Sequence, residues 1–161
     1  MPDQNGSIDK RRGASESLRA LGRLQIFYGP AEKSGAAITP ARILIVEDDY
    51  FVALELEHSL SEVGFEVIGV AGTAEEALKM AASGKPALAV MDIRLNGPRD
   101  GIDTAIELLT VFKIPSIFAT AHSDPETTRR AEKAKPLGWL EKPYTANSLI
   151  ELLNKVLAQL S

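Results

Sequence analysis

The sequence predicts an α/β fold: a five-stranded parallel sheet with helices on both faces. Three observations predict it. From Ala41 onward, apolar runs of strand length alternate strictly with amphipathic segments of helix length. The runs are almost continuously apolar, as expected of strands covered on both faces. The connections between them are short, which favours right-handed strand–helix–strand crossovers.

The first strand is expected over Arg42–Glu47, where Ile43, Leu44, Ile45 and Val46 precede Glu47-Asp48-Asp49. A helix follows over Phe51–Val63, with Leu54, Leu56, Leu60 and Val63 recurring before Gly64. Glu66–Ala71 is the second strand. Thr73 with Glu76 three residues later forms a capping box, opening a helix that closes at Gly84. The third strand is Leu88–Asp92, and the third helix Gly101–Phe112 carries Ile102, Ile106, Leu108 and Leu109. Ser116–Ala119 is the fourth strand. Asp124-Pro125 supplies an N-cap and a first-turn proline to a helix running from Glu126 to Lys133. Leu137–Leu140 is the fifth strand, and Thr145–Leu160 closes the pattern with Leu149, Ile150, Leu152, Leu153, Val156 and Leu157 on one broad face.

Residues 1–40 stand apart as an arm from the globular unit at 41–161. The arm is rich in Gly, Ser and Ala, and its one periodic stretch is Glu16–Tyr28, where Leu18, Leu21, Leu24 and Phe27 recur at three-residue steps. That pattern allows a short amphipathic helix at about 16–28. The chain has 161 residues, 45% of them apolar and 25% charged, an ordinary globular composition. It has no cysteine, which excludes disulfides, thiolate metal sites and cysteine nucleophiles. No apolar stretch approaches a membrane span, and no signal-peptide core is present. The arm carries six basic and four acidic side chains, so the net charge of −4 conceals −6 on the remaining residues. An acidic body argues against nucleic acid as its ligand.

The chemistry lies where strands end. In open α/β sheets ligands gather at the carboxyl ends of the strands. Two of those ends carry acids: Glu47-Asp48-Asp49 and Asp92. Carboxylates that converge need a hard cation or protons to neutralise them, so a Mg²⁺ site with a reactive aspartate is expected. An isolated Asp92 reads more readily as a turn or cap residue; the consecutive acids after the first strand shift the balance towards ion binding. Thr120 ends the fourth strand and Lys142, before Pro143, follows the fifth. Alone, the threonine is an ordinary strand residue and the lysine a solvated loop charge. Together with the acids they supply a hydroxyl and an ammonium for phosphoryl oxygens, with Asp92 as nucleophile. A rigid or cis Lys142–Pro143 bond would turn the ammonium inward.

Val46-Glu47-Asp48-Asp49, Met91-Asp92, Thr120-Ala121 and Lys142-Pro143, in this order and spacing, resemble the receiver domain of two-component response regulators. The resemblance covers about residues 42–160. It implies a flavodoxin-like fold with strand order 2-1-3-4-5 and a cytoplasmic signalling protein. It implies that Asp92 accepts a phosphoryl group from a histidine kinase or phosphotransfer protein. By the same match Glu47, Asp48, Asp92 and the backbone carbonyl of Arg94 hold Mg²⁺ or Mn²⁺. Thr120 and Lys142 contact the phosphoryl oxygens, and Trp139 forms an aromatic gate. Asp49 is expected to cap the following helix.

Some positions depart from the family pattern. Glu47 stands where aspartate is commoner, and Trp139 is bulkier than the usual tyrosine or phenylalanine. The loop between Asp92 and Gly101 is one residue longer, with Pro98 two positions late. Arg94 and His122, two residues beyond Asp92 and Thr120, are expected to slow water attack on a phosphoryl group; a plain surface role accounts for them equally well. His58 reads as surface.

The sequence stops one residue after the last amphipathic segment, so a stand-alone receiver is expected, with a changed surface as its output. The readout face would involve the fourth helix, fifth strand and fifth helix, through Glu126, Arg129, Arg130, Lys133, the Lys142 side and Glu151, and that face would support a homodimer. Two other classes compete. A receiver-like adaptor acting without phosphorylation would be expected to have lost some of these residues. An aspartyl-phosphate hydrolase usually needs a second aspartate two residues after the first, where Arg94 stands.

Overall fold

The computed structural model describes residues 39–161. The short helix expected at about 16–28 lies outside the described residues. Five strands form one parallel sheet: β1 (Arg42–Val46), β2 (Glu66–Ala71), β3 (Leu88–Met91), β4 (Ser116–Thr120) and β5 (Gly138–Glu141). Their order is β2-β1-β3-β4-β5, so β1, β3 and β4 are central. Among the described residues, five α-helices connect the strands and close the sheet: α1 (Tyr50–Glu62), α2 (Ala74–Gly84), α3 (Gly101–Phe112), α4 (Pro125–Ala131) and α5 (Ala146–Leu160).

The strand pleat divides the core in two. In β1, Ile43 and Ile45 face α1 and α5, joining Leu56, Leu60, Leu149 and Leu153. Leu44 and Val46 face the other side, with Ala77 and Ala81 of α2, Leu108 of α3 and Ala131 of α4. All residues of β3 and β4 are buried, which is why those runs show no polar alternation.

The helix starts follow their caps. Asp49 accepts hydrogen bonds from the amides of Phe51 and Val52, Asp100 from Asp103, Asp124 from Thr127 and Thr145 from Ser148. The α2 box departs slightly from the usual form: Thr73 Oγ1 accepts from the Glu76 amide at 3.2 Å, but Glu76 reaches back to the amide of Gly72 at 2.8 Å.

The fourth helix is shorter than its pattern suggests. It leaves α geometry at Ala131 and continues as a 3₁₀ turn over Glu132–Ala134. In a 3₁₀ turn, side chains three apart eclipse, which brings Ala134 over Ala131 and buries both in the core. Pro136 follows within two residues and prevents further helix.

Candidate functional site

Adjacent strands bring the acids together. Val46 and Met91 are register partners at the ends of β1 and β3, and the ladder runs one step further: the Asp92 amide donates to the Val46 carbonyl at 2.9 Å. On the other side of β1, the Glu47 amide donates to the Ala71 carbonyl, also at 2.9 Å. Carboxylate oxygens of Glu47, Asp48 and Asp92 consequently lie within 4.8 Å of one another. Glu47 is 4% exposed and Asp92 7%, whereas Asp48 is half-buried.

Lys142 enters this cluster from the loop after β5. Its Nζ donates to Glu47 Oε2 at 2.7 Å and to Asp92 Oδ2 at 2.9 Å. The Lys142–Pro143 peptide bond is cis. The Lys142 amide also donates to the Thr120 carbonyl at 2.9 Å, tying the ends of β4 and β5 together beside the acids. Glu47 Oε1 accepts from the Asp49 amide at 3.1 Å, so both oxygens of Glu47 are held. Asp92 Oδ1 is buried without a hydrogen-bond partner among the described residues.

Burial pushes the Glu47 carboxyl above its ordinary pKa, and the neighbouring Asp92 charge adds to this against the opposing pull of Lys142 and the Asp49 amide. Burial alone would lower the Lys142 pKa. Its hydrogen bonds to Glu47 and Asp92 and their charges outweigh that effect, so the ammonium is held above its usual range. Tyr144, two residues on, is pushed up to about 12, chiefly by burial.

One ammonium faces three carboxylates, and one buried carboxylate oxygen is left unpaired. Hard oxygen donors with surplus negative charge fit a divalent cation. The donor set is therefore suited to Mg²⁺ or Mn²⁺.

The other expected residues lie on β4, β5, α1 and the adjoining loops. Thr120 is fully buried at the end of β4, and its Oγ1 accepts from the His122 amide at 3.2 Å. Trp139 is half-buried on β5 as the register partner of Phe118, with ring centroids 5.0 Å apart. Its Nε1 is buried without a partner among the described residues. Arg94 is exposed two residues beyond Asp92, and with His122 it lines a cleft beside the cluster. Asp49 caps α1 and stays outside the group. His58 is exposed and pairs with Glu62 at 3.4 Å.

Gly101 was not singled out by sequence reasoning, yet it shapes the site. A Cβ there would lie 1.8 Å from the Asp92 carbonyl oxygen. The α3 N-terminus packs directly on the loop that follows β3, with the Gly101 amide donating to the Ile93 carbonyl at 2.7 Å. A glycine in the first turn of a helix, just after the cap Asp100, was the available signal; it marks a close backbone approach. A second unforeseen contact ties the same loop to α4: Arg130 pairs with Asp100, and more distantly with Asp103.

The sequence matches the response regulator receiver domain family over residues 43–154. The chain belongs to that family. Receiver domains act in two-component signalling as signalling proteins rather than enzymes, and they generally bind Mg²⁺ at an acidic pocket of the kind formed here by Glu47, Asp48 and Asp92.

Curated relatives agree. The transcriptional regulatory protein PdtaR of Mycobacterium tuberculosis is 37% identical over 122 residues, covering 76% of this chain and 58% of PdtaR. The phyllosphere-induced regulator PhyR of Methylorubrum extorquens is 36% identical over 138 residues, covering 85% of this chain and 51% of PhyR. The chain thus matches little more than half the length of these relatives. The chemotaxis protein CheY of Thermotoga maritima is 30% identical over 116 residues, which is 71% of this chain and 96% of CheY. Among solved structures, the signal receiver domain of a modulated diguanylate cyclase from Desulfovibrio desulfuricans superposes with a TM-score of 0.71. That pair is 36% identical and covers 75% of this chain and 96% of that one.

None of the described helices is long and apolar enough to cross a membrane.

Proposed function

We propose that this receiver is a phosphorylation-dependent switch in which Asp92 accepts a phosphoryl group from a histidine kinase or a histidine phosphotransfer protein. The observation that carries this reading is the pairing of Asp92 with Lys142 inside a buried acidic cluster, with Asp92 Oδ1 unsatisfied. A carboxylate oxygen of Asp92 attacks phosphorus, the P–N bond of the phosphohistidine breaks, and its electron pair returns to the imidazole. Glu47, Asp48, Asp92 and the Arg94 carbonyl would hold Mg²⁺ or Mn²⁺. That ion supplies charge neutralisation for the phosphoryl oxygens as they approach the carboxylates.

The chain's own groups then do the switching. Lys142 offers its ammonium to a phosphoryl oxygen and Thr120 its hydroxyl, drawing the ends of β4 and β5 towards the new charge. Trp139 follows as the aromatic gate, and the surface formed by α4, β5 and α5 reads out the change to a downstream protein or a second copy of the chain. We assign residues 41–161 to this receiver unit and residues 1–40 to a separate arm. The acidic body disfavours nucleic acid and anionic membranes as partners, and we place the protein in the cytoplasm.

Incubation with Mg²⁺ and acetyl phosphate, followed by intact mass spectrometry, tests the reading. One added phosphoryl group is expected on the wild-type chain and none on Asp92→Asn. An unlabelled wild type would overturn it in favour of an adaptor that works without phosphorylation. Steady turnover of a phosphomonoester, lost in Asp92→Asn, would instead indicate a hydrolase.

A further inference from the structure

We propose that the arm segment Glu16–Tyr28 docks on the outer face of α1, over Tyr50, Phe51 and Leu54 and the groove beside Pro143 and Tyr144. Three observations carry this, and none depends on phosphoryl chemistry at Asp92.

The first is the face itself. Tyr50 is 70% exposed, Phe51 79% and Leu54 48%, three of the five large apolar side chains exposed among the described residues. They fall on neighbouring positions of the first turns of one helix, with the two rings edge-on at 5.6 Å. Beside them, Val52, Leu56, Pro143 and Tyr144 line a mainly apolar groove of about 410 Å³, bordered by Glu55 and by Lys142, whose ammonium is taken up by Glu47 and Asp92. A clustered patch of this kind signals a surface that is covered by something.

The second is charge. Between Arg42 and Lys79 there is no lysine or arginine, while α1 alone carries Glu55, Glu57 and Glu62 and is preceded by Asp48 and Asp49. The occupant must therefore be apolar on one side and basic at its edges. A second copy of the same face would set acid against acid. The arm has the required character: residues 10–28 hold five basic side chains and one acidic one, and Leu18, Leu21 and Leu24 supply the apolar positions, with Arg19 and Arg23 four residues apart.

The third is reach. The arm joins the body just before β1, at the edge of the sheet opposite the acidic cluster, and α1 runs back antiparallel to β1. Gly29–Ala41 is thirteen residues, which span up to about 43 Å when extended. The thirteen residues of α1 extend only about 20 Å. The segment can reach the first turns of α1 without straining its connection.

Hydrogen–deuterium exchange on the full chain tests the proposal. Three proteins are compared: wild type, the triple variant Leu18→Asp/Leu21→Asp/Leu24→Asp, and Phe51→Ser at an exposed position, with thermal melting of each variant to check that the fold is kept. Amides of residues 16–28 should exchange at least about tenfold slower than an unprotected chain in the wild type. Both variants should lose that protection, and 0.5 M salt should weaken it, since exposed charges are screened at roughly that ionic strength. Residues 50–56 should exchange faster in the triple variant than in the wild type. Unprotected amides at 16–28 in the wild type would overturn the proposal and leave the face open to another protein. Protection unchanged by Phe51→Ser would overturn it by placing the segment elsewhere. Protection that rises with protein concentration, together with a dimer in sedimentation, would overturn it in favour of docking between copies.

Discussion

Lys142 is the residue on which the resting charge balance of the cluster depends. It is the ammonium bonded to both Glu47 and Asp92, and its side chain is only 24% exposed. Lys142→Met leaves two buried carboxylates facing each other. A loss of about 1–3 kcal/mol in metal-free stability is expected, as for a buried charged group deprived of its partner. Millimolar Mg²⁺ should recover part of that loss, because the cation binds the folded state only. Urea melts with and without Mg²⁺ check both halves; a variant as stable as wild type in chelator would show that Lys142 does not neutralise the cluster. Gly101 is the second critical residue, and its importance is steric. Gly101→Ala places a methyl group 1.8 Å from the Asp92 carbonyl oxygen, backbone against backbone, with no flexible side chain to yield. A destabilisation of about 3–5 kcal/mol is expected, read as a lower urea midpoint, together with a slower rate of phosphoryl labelling because the loop after Asp92 must move.

Asp124 caps α4, and its titration belongs to that element. The hydroxyl and amide of Thr127 hold the Asp124 carboxyl below its usual pKa. A folded value below the unfolded one means that the stabilisation is present above the unfolded pKa and is lost as pH falls through the folded one. Amides in α4 are therefore expected to lose exchange protection as pH drops below about 4, while those of β3 and β4 hold. Asp124→Asn should flatten that local pH dependence, and an unchanged profile would place its origin in another carboxylate. The starts of three helices were legible because caps are local: Asp49, Thr73 and Asp124 each cap where the sequence predicts, whereas Asp100 and Thr145, read as a loop residue and as the first residue of the last helix, turn out to be caps as well. Their ends were less so. Gly84 looked like a terminator, but it is the last residue of α2, and the left-handed position belongs to Lys85 with φ 46°. Gly84 instead makes room for Ile68, whose Cδ1 would lie 2.4 Å from a Cβ there. Lys113 and Lys135 close α3 and the 3₁₀ turn in the same left-handed way, where glycine is the usual signal. The acids after β1 and β3 were legible one strand at a time. Lys142 and Thr120 became legible only in their company, and strand order came through the resemblance, since pairing between distant strands leaves no local trace in the chain.

Across the whole molecule, the question is how charge added at one sheet edge reaches the surface. The described contacts supply a route through β4 and β5. Lys142 hydrogen-bonds through its amide to the Thr120 carbonyl and through its ammonium to Asp92. Thr120 pairs in register with Glu141, and Phe118, two residues before it, pairs with Trp139. The Trp139 Nε1 donor is buried without a partner among the described residues, so its present setting is not a fully satisfied one. A shift of β4 and β5 towards a phosphoryl group would change the packing of this indole against Phe118. The chain has a single tryptophan, so its fluorescence reports on this position alone. Adding acetyl phosphate to the Mg²⁺-loaded protein is expected to change the emission intensity or maximum, at the rate at which phosphoryl mass appears. Asp92→Asn should give neither signal. Thr120→Val keeps the shape of the side chain but removes the hydroxyl, so it should still acquire the phosphoryl mass while losing most of the fluorescence change. Full labelling of wild type with an unaltered Trp139 spectrum would exclude the indole from the switch and leave the ends of β4 and β5 as its moving parts. A spectral change that survives intact in Thr120→Val would show that the signal reaches Trp139 by another route, such as the Asp100–Arg130 contact between the loop after β3 and α4.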